Sequence, residues 1–165
     1  MPSTSPWLIV VLAALSAIGP FSTDTYLPAF QVMARELGAT DIEVQQTITC
    51  YMTTFAVMVL WHGALSDQFG RRSVLILMTL GYSAASMICA FAPSIGWLWL
   101  GRALQGVFGG VGMVVGRAMI RDLYDGAQAQ RLMAQMMLIF GLAPAIAPLA
   151  GEALLALFGW RSIFV

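Results

Sequence analysis

Four long stretches of this sequence contain no Asp, Glu, Lys or Arg, and they restrict the possible folds more than any other feature. They cover residues 1–23, 44–66, 73–101 and 132–151. A helix needs about 20 mainly apolar residues to cross a hydrocarbon core about 30 Å thick, so each stretch can hold a membrane span. A soluble helix bundle would show polar helix faces, which these stretches lack.

The third stretch is long enough for two helices. It continues past Arg102 to residue 116 without another charge, and it contains the turn sequence PSIG at residues 93–96. The final residues WRSIFV (160–165) are mostly apolar and read as the start of a sixth helix that is cut short. We therefore predict an all-α polytopic membrane protein with spans near residues 7–34, 44–65, 73–92, 97–120 and 132–158.

The arginines predict the orientation of these spans, because short cytoplasmic loops collect positive charge. Arg35 and Arg161 fall on one side of the predicted membrane, and five arginines fall on the other: Arg71, Arg72, Arg117, Arg121 and Arg131. The predicted N-terminus is therefore cytoplasmic.

Composition argues against two other classes of protein. Charged residues make up only 10% of the chain, the net charge is zero and every basic residue is an arginine, so no polybasic segment suggests a nucleic-acid partner. The sequence has no cluster with metal-ligand spacing, no nucleophile elbow and no phosphate loop, so we expect no enzyme, no metal site and no cofactor.

The segment GALSDQFGRR at residues 63–72 is a short polar turn between two predicted spans. Gly70 supplies the backbone freedom for the turn, and Asp67 can accept hydrogen bonds from a nearby arginine. The segment resembles motif A of the major facilitator superfamily, with Gln68 in place of the usual arginine. Alternatively, Arg71 and Arg72 serve only to keep this turn on the cytoplasmic side of the membrane.

The motif A resemblance implies a conformational switch. Its residues would be Gly63, Asp67, Gly70, Arg71 and Arg72, together with Asp122 at the end of the fourth span. In that family the turn holds the two halves of a transporter in the outward-facing state. Asp67 and Arg71 would then form a charge relay with Asp122.

Arg102 is a charge inside the fourth predicted span. Such a charge costs about 2.5 to 3.5 kcal/mol on insertion scales, so it normally faces a polar interior. The segment RALQG at residues 102–106 resembles motif B, Arg-x-x-Gln-Gly, which implies a part in proton coupling for Arg102 and Gln105. Alternatively, Arg102 extends outward from a helix end into the interface.

Asp24 lies past the midpoint of the first predicted span and has the same insertion cost. We hypothesise that Asp24 binds the proton or a cationic substrate, and that Arg102 controls its protonation by approaching and withdrawing. The alternative is a helix-end carboxylate in outer water.

The fifth span contains the segment GLAPAIAPLAGE at residues 141–152. Pro144 and Pro148 each remove a backbone donor and favour a bend. With Gly151, they resemble the antiporter motif C, Gly-Pro-x-x-Gly-Gly, although Ala147 and Glu152 replace its first and last glycines.

Two further features concern helix packing. Gly106 with Gly110, and Gly112 with Gly116, form small-xxx-small pairs that permit close approach of helices in the fourth span. His62 ends the second span, and we interpret it as an interfacial residue, because a pH switch would need a bistable partner.

Together, STDTYLPA (22–29), RAMIRDLY (117–124) and the motif A turn resemble the bicyclomycin and chloramphenicol resistance (Bcr/CflA) group of drug:proton antiporters. The resemblance implies that residues 1–165 are part of an N-terminal six-helix bundle whose partner is the missing C-terminal half. It further implies a bacterial inner membrane, protons as the driving ion and small, lipophilic or cationic drugs as cargo.

Two alternatives stay open at this stage. A major facilitator protein could instead carry a sugar or another metabolite, because motif A and Arg102 are shared across the superfamily. A second possibility is a truncated helix bundle with no transport cycle.

Overall fold

The structure is a computed structural model and describes residues 6–165. Its elements are α1 (Pro6–Asp24), a 3₁₀ helix (Leu27–Ala29), α2 (Phe30–Leu37), α3 (Asp41–Phe69), α4 (Arg71–Ala90), α5 (Ile95–Gly109), α6 (Val111–Leu123), α7 (Gly126–Phe158) and a second 3₁₀ helix (Trp160–Phe164). Residues 6–165 contain no β-strand. The predicted all-α fold is confirmed.

Five helical segments are long and apolar enough to cross a membrane, as predicted. They are Ile9–Leu37, Asp41–Phe69, Arg71–Ala90, Ile95–Leu123 and Gly126–Phe158. Many large apolar side chains on these helices are exposed, including Leu60 and Leu149. Such exposure suits helices that are surrounded by lipid.

The first span is interrupted directly after Asp24, where a single helix was predicted. Pro28 follows Asp24 by four residues and has no N–H to donate to the Asp24 carbonyl, and its ring crowds that carbonyl. The α-helix therefore ends at Asp24, and the chain passes through a 3₁₀ turn before α2 begins. As a result, Asp24 occupies a helix end within a membrane-length segment.

The fourth span is also interrupted. Gly110 separates α5 from α6, with φ of −80° and ψ of −11°. Arg102 lies on α5, whereas Asp122 lies on α6. The interruption therefore separates the helix that carries Arg102 from the helix that carries Asp122.

Two apolar clusters lie toward opposite ends of the helices. One includes Tyr26, Met33, Leu98 and Trp160, and the other includes Leu12, Leu75, Val115 and Met136. The buried polar residues Arg102, Gln105 and Ser86 fall between these clusters along α4, α5 and α6. The membrane-length helices thus enclose a buried polar layer.

Glycines bring the helix backbones together on two faces of the fourth span. A Cβ on Gly106 or Gly110 would collide with side chains of α3, or with the α3 backbone at Tyr51. A Cβ on Gly112 would collide with the backbone of Leu15 in α1. These three glycines therefore permit close packing, but Gly106 and Gly110 face α3 whereas Gly112 faces α1.

The last residues of the chain pack onto the end of α2. The Trp160 indole N–H donates to Glu36 Oε2 at 2.8 Å, and Arg161 Nη1 lies 2.9 Å from the same oxygen. Arg71 and Asp122 pair at the opposite end of the bundle. We refer to these two ends as the Glu36 end and the Arg71 end.

Candidate functional site

Arg102 is completely buried in the centre of the polar layer. Its Nη1 donates to the Ser22 carbonyl at 3.2 Å, to Ser22 Oγ at 2.9 Å and to Gln105 Oε1 at 2.9 Å. Burial of this kind excludes the alternative in which the side chain extends to the interface. The guanidinium instead joins α5 to α1.

Two tyrosine rings pack against the guanidinium of Arg102. Its Cζ lies 4.7 Å from the centroid of Tyr26 and 4.6 Å from that of Tyr51, which is within cation–π range. Nε and Nη2 of Arg102 have no hydrogen-bond partner among the residues that the structure describes. The positive charge is therefore held by aromatic faces and neutral oxygens.

Gln105 extends the network away from Arg102. Its Nε2 donates to Ser86 Oγ at 2.7 Å, and the Cys89 thiol lies 3.8 Å from its Oε1. Gln105 thus links the arginine on α5 to α4. The structure brings together Arg102 and Gln105, the two motif B residues.

Asp24 lies apart from this network, at the end of α1. Its carboxylate is half-buried and receives a 3.4 Å hydrogen bond from Thr23. It borders a cavity of about 320 Å³ whose mixed lining includes the aromatic residues Tyr51, Phe55 and Phe140. Within the described part of the chain, Asp24 and Arg102 form no ion pair.

A larger cavity of about 760 Å³ lies on another face of α1. Ser22, Ser86 and Gln105 line it, together with residues of α4 and the final residues of the chain. Asp24 does not line this cavity. Ser22 and Asp24 therefore project toward different spaces, although only Thr23 separates them.

The motif A turn forms a charge cluster at the Arg71 end. Arg71 pairs with Asp67, and its Nε donates to Asp122 Oδ2 at 3.0 Å. Its Nη1 also donates to Ser66 Oγ, and Gly70 makes the turn with φ of +87°. We call Asp67, Arg71 and Asp122 the Arg71 cluster, which connects the α3–α4 turn to α6.

A double-mutant cycle can measure the strength of the Arg71 cluster. We expect Arg71→Ala and Asp122→Ala to show a coupling of about 0.2 to 1 kcal/mol in the free energy of unfolding, because the pair is partly solvent-exposed. The other motif A arginine, Arg72, provides the control, since it is exposed and has no ion pair among the described residues. Equal coupling of Arg72 and Arg71 to Asp122 would contradict this assignment.

The motif C residues lie on α7, which is continuous from Gly126 to Phe158 through both Pro144 and Pro148. Gly151 packs against the Thr25 carbonyl at the end of α1, where a Cβ would collide with it. Ala147 is completely buried. This part of α7 therefore supports the helix end that carries Asp24.

The site also contains four residues that were not predicted from the sequence: Ser22, Tyr26, Tyr51 and Ser86. Ser22 and Tyr26 lie in the STDTYLPA segment, so the sequence itself places them close to Asp24. Tyr51 and Ser86 carried no comparable signal, because their contacts depend on how α3 and α4 cross α5.

Comparisons with known proteins point to one family of membrane transporters. The sequence model of the Major Facilitator Superfamily matches residues 7–165. The chain is 34% identical to the Uncharacterized MFS-type transporter YdgK of Bacillus subtilis, over 95% of this chain and 40% of that protein.

Two further relatives carry names that refer to drug resistance. The chain is 33% identical to the Bicyclomycin resistance protein homolog of Haemophilus influenzae, over 94% of this chain and 39% of that protein. It is 31% identical to Multidrug resistance protein D of Escherichia coli, over 96% of this chain and 40% of that protein. The chain thus spans about two fifths of the length of these curated relatives.

Proposed function

The chain belongs to the major facilitator superfamily, a family of transporters rather than enzymes, and we propose that it serves in proton-coupled export of drugs or other small molecules. It would act together with a second helical half, by alternating access to a cavity between the halves. The names of two relatives, which refer to bicyclomycin and multidrug resistance, favour drugs over sugars or other metabolites as cargo.

The observation that carries this proposal is the position of Asp24. A charge within a membrane-length helix is costly unless it faces a polar or water-filled space. Asp24 borders a cavity whose lining includes the hydroxyl residues Ser16 and Thr23 as well as aromatic residues. A carboxylate in such a cavity can be neutralised either by a proton or by a cationic compound. Competition between the two provides the exchange that an antiporter needs.

Arg102 is proposed to provide a positive charge whose distance from Asp24 changes when α1 moves. Two of its three hydrogen bonds go to Ser22, which lies on α1 two residues before Asp24. A shift or rotation of α1 against α5 would therefore change the separation of Arg102 from Asp24. Tyr26 and Tyr51 hold the guanidinium while no carboxylate is in contact with it.

The Arg71 cluster is proposed to stabilise one state of this cycle. It connects the α3–α4 turn to α6 at one end of the bundle, so its ion pairs must rearrange when these helices separate. By the distribution of arginines, we assign this end to the cytoplasmic side of a bacterial inner membrane.

Dye export from cells tests this proposal. The full-length gene product would be expressed in bacteria that lack their own major exporters, and the cells would be loaded with ethidium, a lipophilic cation. We expect faster ethidium efflux than in cells with an empty vector, and we expect a protonophore to abolish the difference. Efflux that continues after the proton gradient has collapsed, or ethidium uptake driven by the gradient, would overturn the proposal.

A further inference from the structure

His62 makes an unusual contact with the interruption in the fourth span. The side chain is completely buried, and its Nε2 lies 3.0 Å from the carbonyl oxygen of Val107. A carbonyl oxygen only accepts hydrogen bonds, so Nε2 must carry the proton. The imidazole therefore joins α3 to α5.

This carbonyl lies where the helix is interrupted. In a continuous α-helix, the amide of Val111 would donate to the Val107 carbonyl. Here α5 ends at Gly109 and α6 begins at Val111, so this backbone hydrogen bond is missing. The His62 side chain supplies a donor in place of the missing backbone amide, which satisfies a buried polar group.

Gly110 makes room for the imidazole. A Cβ at this position would lie 3.2 Å from His62 Nδ1 and 2.6 Å from a methyl carbon of Val59. The same glycine therefore separates α5 from α6 and allows α3 to approach the interruption.

We propose that His62 is a positioning residue that holds the interruption between α5 and α6, and so sets the angle between the segment with Arg102 and the segment with Asp122. This proposal rests on the proposed function for the roles of Arg102 and Asp122 in transport. The positioning of α5 and α6 by His62 does not depend on it. The contact of His62 with the Val107 carbonyl could not be inferred from the sequence.

Nitrogen NMR of the ¹⁵N-histidine-labelled full-length gene product in nanodiscs tests the hydrogen bond directly. The His62 signals are identified as those that disappear in His62→Gln. At pH 7 we expect a neutral ring with the proton on Nε2 and none on Nδ1, because Nδ1 is buried without a partner among the described residues. A proton on Nδ1, with or without one on Nε2, would overturn the proposal.

Spin-label distances test the positioning role. In a background that lacks Cys50 and Cys89, labels would be placed at the exposed Gly96 on α5 and at Asp125, just after α6. We expect His62→Leu to broaden the distance distribution. We expect His62→Gln, whose amide can donate to the same carbonyl, to preserve it.

The result is decided by comparing the three proteins. Identical distributions in all of them, or a glutamine variant as broad as the leucine variant, would overturn the proposal. Neither the NMR nor the distance measurement depends on transport. Failure of this inference is therefore distinguishable from failure of the proposed function, which the efflux assay measures separately.

Discussion

Replacing Asp24 with asparagine is expected to abolish export driven by a pH gradient while leaving the protein folded in the membrane. Asparagine preserves the size of the side chain and can still accept the hydrogen bond from Thr23. It removes the ionisable group, so the cavity can no longer alternate between a proton and a cation. In liposomes with the full-length protein, we expect gradient-driven ethidium transport to fall to the level of protein-free liposomes.

Glu152→Gln is the matched control for this experiment. Glu152 is also a carboxylate within a membrane-length helix, but it is exposed on α7 and takes no part in the contacts around Arg102. We expect this variant to transport like the wild type. Retention of full pH-driven transport by Asp24→Asn, or an equal loss in both variants, would contradict the assignment of Asp24.

Gly106→Ala is expected to cause a large loss of stability. A Cβ at this position would collide with the Tyr51 carbonyl oxygen and the Thr54 hydroxyl of α3. Backbone atoms cannot give way as a flexible side chain can, so α3 and α5 must separate. Overpacking of this kind costs about 1 to 3 kcal/mol, and here it would also weaken the 2.8 Å hydrogen bond from Thr54 to the Ala103 carbonyl.

Gly141→Ala provides a control of the opposite sign. Gly141 lies inside α7, and a Cβ there would meet no heavy atom of the described residues within 4 Å. Because alanine is favoured over glycine inside a helix by about 0.5 to 1 kcal/mol, this variant should be neutral or slightly stabilised. Unfolding in a detergent titration would compare the two variants. An equal effect of both would contradict the packing of α3 against α5.

Most of the fold was predictable because charge is so costly within a membrane. Four gaps between charged residues, together with the turn sequence at residues 93–96, predicted the five spans, and the five membrane-length helices confirm them. The interruption after Asp24 could also have been predicted, since Pro28 removes the donor for the Asp24 carbonyl. The interruption at Gly110 could not, because Gly106, Gly109 and Gly112 in the same span are equally plausible positions.

Contacts within the candidate site were predictable only where the resemblance to a known motif named the residues involved. The resemblance to motif A named Asp67, Arg71 and Asp122, and these three lie together. The distance between Asp24 and Arg102 depends instead on how the last turn of α1 is rotated about the helix axis. Sequence spacing contains no information about that rotation, nor about which tyrosines pack on Arg102.

The most direct test of proton-coupled exchange measures both fluxes in one preparation. Liposomes with the full-length protein would contain a pH-sensitive dye and receive an ethidium gradient without a pH gradient. We predict that ethidium moving down its gradient drives protons in the opposite direction, and that Asp24→Asn abolishes the pH change. Protein-dependent ethidium movement without any change in internal pH would contradict proton-coupled exchange.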